Sequence, residues 1–428
     1  MNLPRFLKPT TLARITTAHT ASQLLRLLAA FVVNKALALF VGPAGFALLG
    51  NFRDLLAGVQ QTAALGLQNG VTAQIATGDQ DLEKQRGALS AALVIGLSGS
   101  IIIGGVLAIA PSWVGQQVLG TTRYGMHIHV MGISLPLHVL NLILLSAING
   151  AGKYKRYVAI MSASYLMNLG VMLWLVSSYQ VNGAIWGLVA LPAVQLLITI
   201  AVGYKALQTL PKVRWNWPNR AWLSTYGQYA LMALVTAIVA PVVYIYVRNT
   251  LADQLGDDLA GIWEALNRFS KYYLVILTSL ASFYLLPEIA KAVDFKKANA
   301  TILGYLKLLL PSTLLGMLMV YLLRDWLIEI VYTDEFDLMT DYMDLQLIGD
   351  FLKIVAMAFA IQAVARRRTF LYIWTELLSL GSYALLACYL IPKTGLLGSL
   401  HAYIYSNTIY LVVFLILHYT RIKKQAYD

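Results

Sequence analysis

Long apolar runs recur along this chain with only short charged stretches between them, and that leaves few folds open. A helix of ~20 apolar residues crosses a ~30 Å hydrocarbon core, where unpaired backbone groups exclude open strands and loops. Runs bounded by Gly, Pro, Asn or charges place spans near residues 15–42, 45–76, 88–110, 126–149, 154–178 and 183–205. A second set lies near 224–248, 259–287, 301–323, 344–365, 369–391 and 395–419. The second and eighth are long enough to tilt or to continue past the bilayer. Composition agrees, with 59% hydrophobic and 12% charged residues against roughly 45–50% and 25% in soluble domains. The expected fold class is therefore an all-α membrane protein of about twelve transmembrane helices. The segment MNLPRFLKPTTLAR lacks a short apolar run ending in a small-residue cleavage site, so the first span is expected to stay in the membrane.

Charge fixes an expected orientation. Arg5, Lys8, Arg14, Lys84, Arg86, Lys153, Lys155, Arg156, Lys205, Lys212, Arg214 and Arg220 fall on one side of the spans. Lys291, Lys296, Lys297, Arg366 to Arg368, Arg421, Lys423 and Lys424 fall on the same side, giving 21 against the 4 opposite, Arg123, Arg248, Arg324 and Lys393. The positive-inside rule then puts both termini in the cytoplasm. A net charge of +12 could suit nucleic acid, but these cations are dispersed over short loops; membrane lipid is the expected partner and nucleic acid is not. The single cysteine, Cys388, sits in LLACYLI, which rules out an internal disulfide and gives it a packing role.

The chain reads as a duplication. GKYKRYVAI follows the fourth span and ARRRTFLYI the tenth; NGAIWGLVA begins the sixth and TGLLGSLHA the twelfth. FVGPAGFALLGNFRD also matches LGDDLAGIWEALNRF loosely at a similar offset. Six spans per copy is even, so the copies share an orientation and are related by an axis along the membrane normal. The expected division is residues 1–210 as one six-helix lobe and 211–428 as the other. Between them runs KALQTLPKVRWNWPNRAW, whose Trp215, Trp217 and Trp222 suit the headgroup layer; it reads either as a linker resting on lipid or as part of a binding surface.

Seven cations remain inside the spans: Arg26, Lys35, Arg53, Arg268, Lys271, Lys307 and Lys353. Insertion scales put each at roughly 2.5–3.5 kcal/mol when it faces lipid, so most must face protein or water. Lys307 is close enough to a helix end to snorkel. A rise of ~1.5 Å per residue sets Lys35, Arg53, Arg268, Lys271 and Lys353 at comparable depth in the outer half of their spans. Arg26 is deeper and, on a straight helix, rotated away from Lys35. Asp54, Glu264, Asp350 and Glu376 are the acidic counterparts. Glu264 with Arg268, and Asp350 with Lys353, have the spacing of same-face pairs. Salt bridges alone explain part of this set. The cationic surplus suits a phosphate-bearing substrate, whose oxygens accept charge-assisted hydrogen bonds, and Asp350, Glu376 and Glu264 are candidates for coupling or charge relay.

Other chemistry is missing from the sequence. There is no Gly-rich loop ending in GK[ST], so transport would be secondary. His127 and His129 point apart on a helix and read as interfacial rather than metal-binding. No paired-carboxylate or Ser/His/Asp arrangement stands out, and neither an enzyme nor a cofactor or metal is expected. The longest loop, RDWLIEIVYTDEFDLMTDYM, reads as a solvated interfacial hairpin, or as a partner or saccharide contact.

The stretches KALALFVGPAGFALLGNFRDLL, LQNGVTAQIA, LMALVTAIVAPVVYIYVRN, SFYLLPEIAK and LQLIGDFLKI, taken in order, resemble the Wzx-type polysaccharide flippases, particularly those handling lipid III of enterobacterial common antigen. The resemblance implies the multidrug/oligosaccharidyl-lipid/polysaccharide exporter superfamily, with two pseudo-symmetric six-helix lobes around a central cavity. It also implies an undecaprenyl-diphosphate-linked glycan as substrate, moved across the bacterial inner membrane to the periplasmic leaflet, with a polymerase and chain-length regulator of the same pathway as possible partners. Lys35, Arg53, Asp350 and Lys353 lie within the matching stretches; Arg268, Lys271 and Arg26 rest on depth and charge alone. Two rivals stay open: a drug or small-metabolite antiporter of the same superfamily, and a non-transporting scaffold of a glycan-assembly complex.

Overall fold

A computed structural model of the chain describes residues 9–76, 82–211, 213–215, 217–280, 289, 295–365 and 368–427. Arg5, Lys8, Lys212, Lys291, Arg366 and Arg367, and residues 281–287 of the eighth expected span, lie outside them. Every regular element among the described residues is helical. The first half comprises α1 (Pro9–Ala64), α2 (Leu67–Ala76), α3 (Leu82–Ile109), α4 (Pro111–Leu119), α5 (Gly125–Gly150) and α6 (Tyr154–Leu207). Then come α7 (Arg220–Leu255), α8 (Asp257–Leu280), α9 (Phe295–Leu322), α10 (Arg324–Val331) and a 3-10 turn (Asp334–Tyr342). The chain ends with α11 (Met343–Ala365), α12 (Thr369–Thr394) and α13 (Leu396–Tyr427).

Seven stretches among the described residues are long and apolar enough to cross a membrane. Two of them, 44 and 54 residues long, are double spans, because α1 breaks at Gly42 and α6 at Gln180. The protein is a multi-pass membrane protein. Among the helices of the second half, α8 carries Asp257, Asp258, Glu264, Arg268 and Lys271, and α11 carries Asp344, Asp350 and Lys353.

The duplication is visible in the backbone. Left-handed residues break the chain at Gly42 (φ 66°) and, 214 residues on, at Gly256 (φ 92°). They do so again at Gln180 (φ 49°) and, 215 residues on, at Gly395 (φ 62°). Glycine takes such angles at no steric cost; Gln180 takes one against that preference. Three residues beyond the second pair, a Cβ on Gly183 would stand 1.8 Å from the Leu175 carbonyl oxygen, and one on Gly398 would stand 2.4 Å from that of Leu390. The same tight helical hairpin is therefore built twice. The expected second span is not one helix: it turns at Leu65 (φ 48°) and Gly66 before α2.

Two compact units form. The first contains the chain up to Phe40 and Phe52–Ile238; the second contains Val41–Asn51 and the chain from Val239. The linker and the start of α7, which a cut at residue 210 assigns to the second lobe, thus pack within the first unit. In that unit Leu67, Val71, Leu89, Leu93, Val139 and Ile143 form a core. There α3 and α5 touch backbone to backbone, since a Cβ on Gly104 would lie 2.3 Å from the Gly132 oxygen; small residues permit such contact where lipid supplies no hydrophobic drive. Thr199 donates to Asn141 at 2.6 Å, a buried bond joining α6 to α5.

In the second unit a Cβ on Gly261 would lie 1.8 Å from the Pro43 oxygen, so α8 passes directly against the 41–51 segment. The long acidic loop is not a solvated hairpin. It folds as α10 and the 3-10 turn, burying Tyr332, Phe336 and Met339. The Phe46 ring lies 5.8 Å from that of Tyr332 and 5.1 Å from that of Phe336, and the Tyr332 hydroxyl donates to the Ala265 carbonyl at 3.0 Å. The apolar residues interleaved in that loop are its anchors.

Candidate functional site

The second unit holds the densest buried polar chemistry. Asp350, on α11, has no exposure, and its carboxylate accepts a hydrogen bond from Tyr403 of α13 at 2.7 Å and a short one from Tyr273 of α8. Ser270 Oγ lies 3.1 Å from the Tyr273 hydroxyl and accepts from Gln346 Nε2 at 3.0 Å. Three helices thus meet on one carboxylate through hydroxyl donors. A buried carboxylate needs such donors to be tolerated.

Lys353, one turn from Asp350, lies over the Tyr403 ring at 5.7 Å. It lines a cavity of about 360 Å³ with Tyr244, Tyr372, Glu376, Tyr383, Tyr403, Asn407 and Tyr410. The Tyr410 hydroxyl donates to Glu376 at 3.3 Å, and Lys271 Nζ stands 5.5 Å from the Tyr244 ring centre. The expected set of Lys353, Asp350 and Glu376 is therefore brought together within one unit, with tyrosines between the charges. Lys353 and Lys271 beside Asp350 and Glu376 leave this locale, among the described residues, without a cationic surplus. A chain of hydroxyls between acid and amine groups has the parts of a proton or cation site.

Arg248 is the principal residue the sequence reading misplaced. It was expected in an outer loop, ending the seventh span, but α7 continues to Leu255, and Arg248 is 1% exposed. Arg248 Nη2 donates to Glu264 at 2.5 Å and Nη1 to Asn51 at 2.6 Å; Asn51 in turn donates to Asn249 at 2.5 Å. The guanidinium lies 5.3 Å from the Trp263 ring centre. Glu264, expected to share a face with Arg268 as a relay group, also forms this ion pair with Arg248. A Cβ on Gly50 would lie 2.6 Å from Arg248 Nε, so glycine is required for the approach. A usable signal was present: Gly256, eight residues past Arg248, marks the helix end better than the charge does.

Arg268 is half-buried and Lys271 is exposed. In the first unit Arg26 is exposed, while Lys35, Arg53 and Asp54 are half-buried. Ser162 donates to Ser22 at 3.0 Å, fastening the first half of α1 to α6. Arg53 and Arg268 are 215 residues apart, the same offset as the Gln180 and Gly395 breaks, so the duplication sets one arginine at matching positions of its two copies. His127 packs on Trp186, with ring centres 4.4 Å apart, and His129 Nδ1 lies 2.9 Å from the Ala108 oxygen; both are engaged in packing and backbone contacts.

Comparison with known proteins decides the family. Residues 36–341 match the family described as polysaccharide biosynthesis protein. The chain belongs to that family. This family member is 31% identical over 408 residues to the lipid III flippases of Escherichia coli (strain K12) and Shigella flexneri, covering 93% of this chain and 96% of each relative. Its fold is that of a multidrug resistance MATE family transporter of the MOP superfamily solved in an inward-facing conformation, with a TM-score of 0.76 at 16% identity over 93% of this chain and 95% of that one. A MOP superfamily transporter from Pyrococcus furiosus matches with a TM-score of 0.70 at 14% identity, over 96% of this chain and 95% of that one.

Proposed function

We propose that this protein is a flippase that moves an undecaprenyl-diphosphate-linked oligosaccharide from the cytoplasmic to the periplasmic leaflet by alternating access. The observation that carries this reading is the end-to-end identity with lipid III flippases. It acts as a transporter without a hydrolytic or transferase step, in the bacterial inner membrane with both termini cytoplasmic, as the charge asymmetry indicates. Residues 1–210 and 211–428 are its two repeats. Arg53 and Arg268, one per repeat, are the foremost candidates to engage the diphosphate, with Lys35, Lys271 and Arg26 as lesser ones. The surroundings of Lys353 favour a different part for it. Between Asp350 and Glu376 it joins a relay that couples transport to proton or cation movement. Glu264 holds Arg248 in place. A polymerase and chain-length regulator of the same glycan pathway are the partners this role calls for.

Cells that have lost their own flippase for such a glycan test the reading. Expression of this chain is expected to restore the surface glycan, measured by immunoblot, whereas Arg53→Glu, inserted at equal level, restores less than about a tenth, the scale of losing a charged hydrogen bond. Normal glycan with Arg53→Glu sinks the assignment of Arg53. Restored drug tolerance without glycan points to the antiporter.

A further inference from the structure

Between α6 and α7 the described residues 208–211, 213–215 and 217–219 run as a strap along the start of α3. The Arg214 amide donates to Ser90 Oγ at 2.9 Å, and the Tyr226 hydroxyl donates to the Ala88 carbonyl at 3.0 Å. Trp222 lies against Gly87, where a Cβ would come within 3.1 Å of its Nε1. The strap and α3 enclose a pocket of about 210 Å³ whose lining includes Glu83, Arg86, Ser90, Arg214, Trp217 and Trp222. All of these residues belong to the first unit.

Two guanidinium groups share one carboxylate there. Arg86 Nη1 donates to Glu83 at 2.8 Å and Arg214 Nη1 to its other oxygen at 3.1 Å. One positive charge is left over, and Arg86 Nε is buried without an acceptor. The pocket sits where α3 begins, α6 ends and α7 begins, at the level where apolar spans meet water. Trp215 and Trp217 are 69% and 77% exposed, as aromatic rings are at the headgroup layer. The first turn of α3 adds its own partial positive charge.

We propose that this pocket holds the phosphodiester headgroup of an anionic membrane lipid. A phosphodiester carries one negative charge, which suits the positive charge that Arg86 and Arg214 keep over Glu83, and its oxygens accept from planar guanidinium forks. Lipid seated here bridges α3 and the strap, fixing the segment that leads into α7. The inference does not depend on what the protein transports.

Lipid retention by the purified full-length protein tests this, read by native mass spectrometry and by the unfolding midpoint in detergent. Phosphatidylglycerol and phosphatidylcholine of identical chains are the probes. Phosphatidylglycerol is expected to be retained preferentially and to raise the midpoint. The Arg86→Gln/Arg214→Gln protein is expected to lose that preference by about tenfold. Glu83→Gln, which releases both guanidinium groups, is expected to strengthen it, and this variant carries the test if the double variant fails to fold. Equal retention of the two lipids, no gain in Glu83→Gln, or displacement of phosphatidylglycerol by millimolar inorganic phosphate overturns the proposal.

Discussion

Replacing Arg248 by Ala is expected to destabilise the protein by about 3–5 kcal/mol, the range seen when one partner of a buried ion pair is removed. The cause is what stays behind. Glu264 is 3% exposed and, without Arg248, keeps its charge but loses this ion pair, while Asn51 loses one of its hydrogen bonds to α7. The Arg248→Met/Glu264→Leu double variant is expected to recover most of the loss, because apolar replacements of similar volume leave no buried charge. Unfolding midpoints in detergent measure both. If Arg248→Ala melts as the parent does, the ion pair does not hold the second unit together.

The second large effect concerns Asp350. Asp350→Asn keeps the volume and one acceptor oxygen, so the protein is expected to fold, but it removes the charge that faces Tyr273, Tyr403 and Lys353. Substrate translocation is expected to fall at least about tenfold, the weight of one charge-assisted bond. Asp350→Ala is expected to fall as far and also to lose stability, since the buried Tyr403 hydroxyl is left without its acceptor at about 1–3 kcal/mol and Tyr273 keeps only Ser270 Oγ. Transport rate and unfolding midpoint, measured on the same preparations, separate the two effects. A normal rate in Asp350→Asn rules out a relay through this carboxylate.

How far the fold could be read ahead varied from one element to the next. The helices themselves were legible, because apolar runs of membrane-crossing length have few alternative folds, and the Gly42–Pro43 break announces itself in the sequence. Gln180 and Leu65 did not, since neither residue type favours the left-handed region that each occupies. Arg248 was misread because a charge beside an apolar run ordinarily marks its end. Here the partner that makes burial tolerable, Glu264, lies on the next helix. The Asp350 site was half legible: the local spacing to Lys353 pointed to it, but Tyr273 and Tyr403 come from helices distant in sequence, and no local periodicity encodes their meeting. Arg53 and Arg268 already stand at the same position of the loosely matching stretches FVGPAGFALLGNFRD and LGDDLAGIWEALNRF, and the paired backbone breaks strengthen that equivalence.

Purified protein in sealed vesicles gives the most direct test of the account. Lipid-linked oligosaccharide is placed in the outer leaflet, and the fraction open to a membrane-impermeant glycosidase is followed in time. The account predicts protein-dependent loss of accessible substrate until the leaflets equilibrate, abolished by Arg53→Glu and slowed by Asp350→Asn. Substrate that stays accessible with folded protein present, while a soluble cationic drug crosses the same vesicles only when the protein is there, contradicts it.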